Sequence, residues 1–166
     1  MQINNDTRWA EKHWKSMLLN YKKSKYFEDY APFFEDVYLN REWTFLTDLC
    51  EEMLKWFLTT LNIKVEFVDA RDLDLEGAKS ELVLDMCQKV NCSIYIFGKH
   101  GIDYANVDAF RVKGIEPFFQ EYSHPVYSQM HGDFLPYMSI VDLLFNHGED
   151  SLKIILEANL QKKELQ

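Results

Sequence analysis

The residues best able to do chemistry are concentrated in residues 98–148. This segment holds four of the five histidines, three of the four prolines and five of the six glycines. His124 and His131 are the best candidates for a general base, because a neutral imidazole exchanges protons near physiological pH. Pro125 biases His124 towards an extended backbone, and Gly132 places His131 in a tight loop. Both histidines are therefore predicted to be catalytic; the alternative interpretation leaves them as loop residues without catalytic duty.

The same segment contains nitrogen and oxygen donors that could in principle bind one metal ion. They are His124, His131, His147, Asp133 and Asp142. Their spacing matches no zinc signature, and the HExxH pattern is absent. His147 is instead typical of a favourable charge at a helix C-terminus. The sequence therefore predicts no metal site and no cofactor.

Two further positions are suited to contact a ligand. Lys79 and Ser80 open a predicted helix after Gly77, where unpaired backbone N–H groups favour a phosphate. The first glycine of GxxxxGK[ST] is missing, so Ser80 alternatively only starts the helix. Gly98 and His100 lie in the run GKHG after a predicted strand, where glycine permits close approach of a ligand. A turn between strand and helix requires glycine equally well.

Aromatic residues of the same segment predict a ligand pocket. They are Tyr122, Tyr127, Phe134 and Tyr137, which combine apolar faces with hydroxyl tips suited to a polar organic ligand. At least half of these rings are expected in the core. The Gly-x-Ser-x-Gly elbow of serine hydrolases is absent, and Ser139 is interpreted as a helix cap.

The first third of the chain is predicted to be helical. Apolar and aromatic residues recur at three- and four-residue spacing from Trp9 to Tyr21 and again over about 42–61. Pro32 is placed to begin a short helix between these two, since proline is tolerated in a first turn.

A pattern of alternating strands and helices follows. Three runs, at about 64–68, 93–97 and 115–122, predict a small, mainly parallel sheet. One predicted helix joins the first two runs, and a helix over 107–112, closed by Gly114 in the left-handed conformation, joins the second and third. The sequence therefore predicts an α/β fold with a three-stranded sheet flanked by helices.

Two short helices are predicted near the end of the chain. Ser139 is expected to cap a helix that stops at Gly148. A final helix opens at Asp150 and carries Leu160 on its apolar face. The sequence contains no internal repeat or low-complexity linker, so one domain over residues 1–166 is predicted.

Composition excludes several classes of protein. Eighteen basic against twenty-seven acidic residues give a formal charge of −9, which opposes binding along a nucleic-acid backbone. The three cysteines form no CxxC pair, so a disulfide scaffold has no support. No apolar run approaches the roughly 18 residues of a membrane span, and the start MQINNDTRW lacks a signal-peptide core. The sequence therefore predicts a cytoplasmic protein that binds no nucleic acid and spans no membrane.

Several runs of the sequence resemble one protein family. They are KSELVLDMCQKVNCSIYIFG, GIDYANVDAF and GIEPFFQEYSHPVYSQMHGDFLPYMSIVDLLFNHG, of which HPVYxQ and FLPYxSIVDLLFNxG are the most specific. On these motifs the chain resembles the WbqC-like family over most of its length. Members are similar to products encoded among bacterial surface-polysaccharide genes. The resemblance therefore implies a cytoplasmic transferase that makes or decorates O-antigen sugars of lipopolysaccharide.

The resemblance also implies a substrate and a set of site residues. The implied reaction transfers an acyl or aminoacyl group to a nucleotide-linked amino sugar. Motif positions carried over are Ser80, Gly98, Tyr104, Tyr127, Gln129, Ser139, Asp142 and Asn146, with His124 and His131. The predicted ligand-binding residues are Lys79, Ser80, Gly98, His100, Tyr104, Tyr127, Gln129 and Asn146. In this hypothesis one histidine is the base, the residues at the helix start lie near a phosphate, and Tyr127, Gln129 and Asn146 orient the sugar.

One departure from the family bears on assembly. Family members usually carry a further N-terminal region with a Gln-Pro-x-Tyr-x-Pro-Trp-like stretch before the part that corresponds to Gln2. We therefore expect a truncated form whose incomplete sheet has an exposed edge, which favours homo-oligomer formation. Two alternative functions stay open: a non-catalytic ligand-binding or scaffold protein of polysaccharide assembly, and a metal-dependent hydrolase that uses the same histidines.

Overall fold

The computed structural model of the chain describes residues 1–157, which form two compact units. Unit 1 comprises Met1–Lys64 and His124–Glu157, and unit 2 comprises Val65–Ser123. The single domain over residues 1–166 stays a prediction. Leu160, expected on the last helix, lies outside the described residues.

The elements confirm an α/β protein with a helical first third. In chain order, the α-helices are α1 (Trp9–Tyr21), α2 (Phe27–Glu35), α3 (Leu46–Thr60), α4 (Ser80–Lys89), α5 (Val107–Val112), α6 (Ile140–His147) and α7 (Ser151–Leu156). A π-helical turn, Asp36–Asn40, follows α2. The strands are β1 (Ile94–Phe97) and β2 (Glu116–Phe119). Short 3₁₀ turns span Ala70–Asp72, Lys99–Asp103 and Gly148–Asp150.

An aromatic core holds unit 1 together. Its buried members are Trp14, Phe27, Ala31, Phe34 and Phe145. The ring of Phe145, in α6, lies 5.1 Å from that of Phe27 and 5.7 Å from that of Phe34, measured between centroids. Complete burial of one such side chain stabilises the folded state by roughly 1.5–3 kcal/mol. This packing fixes α6, which carries Asp142 and Asn146.

The start of α2 differs from the prediction. Pro32 does not begin the helix but lies inside it, because α2 starts five residues earlier at Phe27. Phe27, Ala31 and Phe34 recur at four- and three-residue spacing and are all buried. Burial of this stripe outweighs the hydrogen bond that proline cannot donate within a helix.

Unit 2 is built on two parallel strands and the helices that pack on them. The register pairs Ile94 with Glu116 and Phe97 with Phe119. The buried core comprises Cys87, Phe97, Phe110 and Ile115. Between the strands, α5 ends where Gly114 adopts a φ of +75°, and this confirms the helix and the glycine stop expected there.

The predicted first strand, 64–68, is wrong. Residues 64–69 have no regular secondary structure, and the sheet within the described part of the chain has two strands. Val65 and Phe67, on one side of the expected strand, are 56% and 46% exposed, and Val68, on the other side, is 52% exposed. An alternating pattern forms a strand where one face is buried, and here side chains on both faces are exposed. The other strands also proved shorter than the expected 93–97 and 115–122.

Candidate functional site

The polar centre of unit 1 is the carboxylate of Asp142, in the first turn of α6. The side chain of Ser139 accepts a hydrogen bond from the Val141 N–H at 3.2 Å, which confirms the predicted cap. Asp142 itself is 5% exposed. Its Oδ2 accepts hydrogen bonds from the Tyr127 hydroxyl at 2.9 Å and from Gln129 Nε2 at 3.0 Å. Two motif residues are therefore joined to α6 through one buried oxygen.

Two more side chains lie beside this carboxylate. Asn146 Nδ2 lies 2.7 Å from the Asp142 carbonyl oxygen and 3.4 Å from Oδ1. The Tyr21 hydroxyl, at the end of α1, lies near the same carboxylate. Burial, and then the negative charge of Asp142, raise the pKa of Tyr21. A buried charge is tolerated only when it is hydrogen-bonded, and these donors supply that condition.

Gln129 also closes the loop that leads from Tyr127 towards α6. Its Oε1 accepts from the Leu135 N–H at 2.8 Å, and its Nε2 donates to the Leu135 carbonyl at 3.0 Å. The amide thus pairs with a backbone unit as a neighbouring strand would. Gly132, inside the loop, has a φ of +56°, which glycine adopts without strain.

The two predicted catalytic histidines have different surroundings. His124 Nε2 accepts a hydrogen bond from the Tyr137 N–H at 3.1 Å, so its proton lies on Nδ1, which is 2.8 Å from the Pro125 carbonyl. Both ring nitrogens of His124 are therefore engaged by backbone groups. His131 Nε2 lies 2.9 Å from the Asn20 carbonyl and must donate to it. In neutral His131 this leaves Nδ1 as the basic nitrogen.

His131 and Asp142 line the same pocket of unit 1, which we call the Asp142 pocket. Its volume is about 460 Å³, within the range of small-molecule sites. The residues around it are Leu19, Asn20, Tyr21, Gln129, Met130, His131, Leu135, Met138 and Asp142. The pocket thus combines apolar walls with a histidine, two amides, a carboxylate and a tyrosine.

His147 lies at the end of α6, as expected. Its Nε2 is 2.8 Å from the Ser128 carbonyl, and its ring packs edge-on against Tyr127 at 5.5 Å. Gly148 follows with a φ of +55° and confirms the predicted stop. Within residues 1–157 no group of three or more histidine, cysteine or acidic side chains is arranged to hold a metal ion.

The remaining predicted ligand residues belong to unit 2. Ser80 Oγ accepts from the Asn106 N–H at 2.8 Å, and Lys79 precedes α4 with a φ of +51°. Gly98 precedes the Lys99–Asp103 turn. Within this turn, Nδ1 of His100 lies 3.5 Å from Oδ2 of Asp103. Tyr104 packs edge-on against the ring of Phe97 with a centroid distance of 6.0 Å. Unit 1 therefore brings together His124, Tyr127, Gln129, His131 and Asn146, whereas Lys79, Ser80, Gly98, His100 and Tyr104 lie in unit 2.

Sequence analysis missed the contribution of Tyr21 to the site. It was counted only on the apolar face of α1. A buried tyrosine needs a partner for its hydroxyl, and this is the signal that a polar group would be packed against that face. For Asp142 the sequence suggested only a possible metal ligand and a motif position.

The motifs that build the Asp142 pocket also decide the family. The sequence profile of the WbqC-like protein family matches residues 1–154. The chain belongs to this family. It is similar to an uncharacterized protein, Rv1507c, of Mycobacterium tuberculosis, with 29% identity over 146 residues. That match covers 87% of this chain but 63% of the relative, so the chain spans less than two thirds of its length. No solved structure matches the chain.

None of the helices within residues 1–157 combines the length and the apolar character that crossing a bilayer requires.

Proposed function

We propose that this chain is a sugar-tailoring transferase of bacterial surface-polysaccharide or O-antigen biosynthesis. It transfers an acyl or aminoacyl group to a nucleotide-linked amino sugar that binds in the Asp142 pocket. Family membership supports the sugar context. The observation that carries the proposal is the presence of His131, with its tautomer set by Asn20, in a pocket of about 460 Å³.

His131 acts as the general base. The amine of the sugar attacks the carbonyl carbon of an acyl thioester donor, and Nδ1 of His131 takes the proton that the amine loses. The C–S bond of the thioester then breaks, and the thiol leaves with that proton as the amide forms. The carbonyl of Asn20 holds the imidazole through Nε2, as the third group of a catalytic triad holds its histidine. General-base catalysis of this kind contributes about 10²–10⁴-fold in rate.

The motif residues orient the pocket rather than react. Tyr127 and Gln129 hydrogen-bond to Asp142 and so fix the loop that carries His131. Asn146 hydrogen-bonds to Asp142 within α6. His124 anchors the same loop through Tyr137. We therefore keep His131 and not His124 as the proposed base.

A ligand screen tests substrate binding first. Nucleotide-linked amino sugars, acyl thioesters and divalent metals are added singly to the purified protein, and the melting temperature is measured. A ligand of the folded state at about 100 times its Kd stabilises it by about 2.7 kcal/mol. Stabilisation by a nucleotide-linked amino sugar supports the proposal. A cooperative melt that no nucleotide sugar shifts argues against it.

Substitution of His131 tests the chemistry. His131→Ala is expected to lower kcat by about 100-fold or more while the sugar still binds. Asp133→Asn, an exposed change on the same loop, is the matched control and should leave kcat unchanged. Full turnover by His131→Ala would remove the base assignment.

A second candidate function is a non-catalytic ligand-binding or scaffold protein of the same pathway. The observation that favours it is that the motif side chains of unit 1 hydrogen-bond to one another around Asp142. Tight binding of a nucleotide sugar without turnover, with any acyl donor, would favour this function over the transferase.

A further inference from the structure

Unit 1 contains a second cavity, of about 580 Å³, which includes none of the predicted site residues. Its walls include Asn5, Trp9, Tyr38, Arg41, Glu42 and Trp43, and we call it the Trp cavity. We propose that the Trp cavity binds a neutral carbohydrate, a mono- or disaccharide. This site is independent of the proposed chemistry in the Asp142 pocket.

One wall of the Trp cavity is built by the first residues of the chain. The N–H of Ile3 donates to the Thr44 carbonyl at 2.9 Å, and the N–H of Leu46 donates to the Met1 carbonyl at 3.0 Å. The side chain of Asn5 donates to the Trp43 carbonyl at 2.9 Å. This short antiparallel pairing fixes Asn5 and Trp43 beside each other.

The lining of the cavity also includes an unusual helical turn. Tyr38 lies in the π-helical turn Asp36–Asn40, a conformation that is rare in proteins and occurs frequently at functional sites. The Tyr38 ring packs edge-on against Trp9, with centroids 6.1 Å apart. The Tyr38 side chain, within this turn, lines the cavity.

Both indoles are held by their polar edges. Trp9 Nε1 donates to Asn5 Oδ1 at 3.0 Å, and Trp43 Nε1 donates to the Val37 carbonyl at 2.9 Å. Both residues remain half-buried, so part of each side chain contacts the cavity. The electron-rich face of an aromatic ring attracts the polarised C–H groups on one face of a pyranose.

The charges around the Trp cavity favour a neutral ligand over an anion. Arg8 pairs with Glu11, and Arg41 is held by Asp36 at 2.6 Å and by Glu52 at 2.7 Å. These carboxylates neutralise the guanidinium charges that a phosphate would need. Each guanidinium has five N–H donors, more than its ion pairs use, and Glu42 adds carboxylate acceptors. Donors and acceptors beside aromatic faces match the hydroxyls and C–H face of a sugar.

Saturation-transfer NMR and calorimetric titration of the full chain test the proposal. The sugar probes are N-acetylglucosamine, maltose, and the methyl glycosides of glucose, galactose and mannose. Choline and inorganic phosphate serve as charged comparisons. At least one sugar is expected to bind, and choline and phosphate are expected to bind more weakly. Absence of binding by every sugar, or tighter binding of choline or phosphate, would overturn the proposal.

Variants then place the binding site. Trp9→Ala and Trp43→Ala should each weaken sugar binding about tenfold or more. Trp9→Phe keeps an aromatic face and the fold, and should retain most of the affinity for the sugar. Glu42→Gln, at the exposed rim of the cavity, should weaken sugar binding severalfold. His131→Ala, in the Asp142 pocket, should leave the affinity of the Trp cavity for the sugar unchanged. Failure of the Trp cavity proposal is therefore distinct from failure of the transferase proposal. Unchanged affinity in Trp43→Ala and Glu42→Gln would place the sugar elsewhere and refute the inference.

Discussion

The predicted site residues of units 1 and 2 differ in their surroundings. In unit 1, Tyr127, Gln129 and Asn146 turn inward to a carboxylate that is 5% exposed. In unit 2, Nδ1 of the predicted ligand residue His100 lies 3.5 Å from Oδ2 of Asp103, and the two side chains are 88% and 71% exposed. Residues predicted to contact one ligand thus differ in physical role. Tyr127 and Gln129 in unit 1 hold a loop in place, whereas His100 in unit 2 faces solvent.

The two units also differ in how they bury apolar side chains. Phe34 and Phe145 in unit 1 are completely buried. In unit 2, the alternate side chains of β1 point away from the core, and Ile94 and Ile96 are 39% and 48% exposed. Substitutions in unit 1 should therefore cost more stability than similar ones on the outer face of β1.

The largest expected effect is on the aromatic core. Phe145→Ala should lower the free energy of unfolding by about 3–5 kcal/mol, because the cavity removes contacts with Phe27 and Phe34. Ile96→Ala should lower it by less than about 1 kcal/mol, since half of that side chain is exposed. Urea denaturation measures both. Equal losses would show that the outer face of β1 is covered in solution.

The next effect tests the polar centre. Asp142→Asn should cost about 3 kcal/mol, because an amide cannot accept from all the donors that now surround the carboxylate. Asp133→Asn, at an exposed position of the neighbouring loop, should change stability by less than about 0.5 kcal/mol. Similar unfolding midpoints for the two variants would contradict the structural role of Asp142.

Two glycines at positive φ offer a sharper comparison between the units. An added Cβ at Gly148 would lie 2.6 Å from the Tyr26 ring, whereas at Gly114 it would meet nothing within 4 Å. Gly114→Ala should cost about 1–2 kcal/mol from backbone strain alone. Gly148→Ala should cost more than that, because the Tyr26 ring must also move. A lower melting temperature for Gly114→Ala than for Gly148→Ala would contradict this ranking.

Alkaline pH provides a milder test of Tyr21. Burial and then Asp142 raise its pKa in the folded state, so the unfolded state loses this proton first. Stability should therefore fall as pH rises above about 10, the ordinary value for tyrosine. Tyr21→Phe should show a shallower fall over the same range. The free energy of unfolding of the wild-type chain and of Tyr21→Phe is measured by denaturation from pH 9 upward. An identical dependence on pH in the two proteins would contradict the burial of Tyr21 near Asp142.

The smallest effect concerns a polar side chain without the partners that Asp142 has. The Ser151 hydroxyl is fully buried and has no hydrogen-bond partner among residues 1–157. Ser151→Ala should therefore leave stability unchanged or raise it by up to about 1 kcal/mol. A clear loss of stability, seen in the same urea titration, would reveal a partner for this hydroxyl.

Local patterns in the sequence predicted much of this architecture. Four features that depend on neighbouring residues were confirmed: the helix over 107–112, the Gly114 stop, the Ser139 cap and the Gly148 stop. Segment 64–68 was mispredicted because its alternation carries no information about whether a second strand lies beside it. Pro32 was misplaced because burial of the α2 stripe depends on Phe145, more than 100 residues away in the chain.

The sequence likewise predicted some features of the candidate site and not others. The sequence placed the polar residues on the segment that forms the Asp142 pocket, because their types and motif spacing are visible in one dimension. It could not show that Tyr127 and Gln129 share one oxygen of Asp142, 15 and 13 residues further along the chain.

Residue types, periodicity and motifs by themselves determined the helical first third, the α/β class, the two short strands and the family. Only the tertiary structure decided that Asp142 is the polar centre, that Tyr21 joins it, and that His124 and His131 differ. The physical reason is that caps, stops and helical stripes arise from interactions over a few residues. The state of a buried charge, in contrast, depends on donors from distant segments that folding brings within 3 Å.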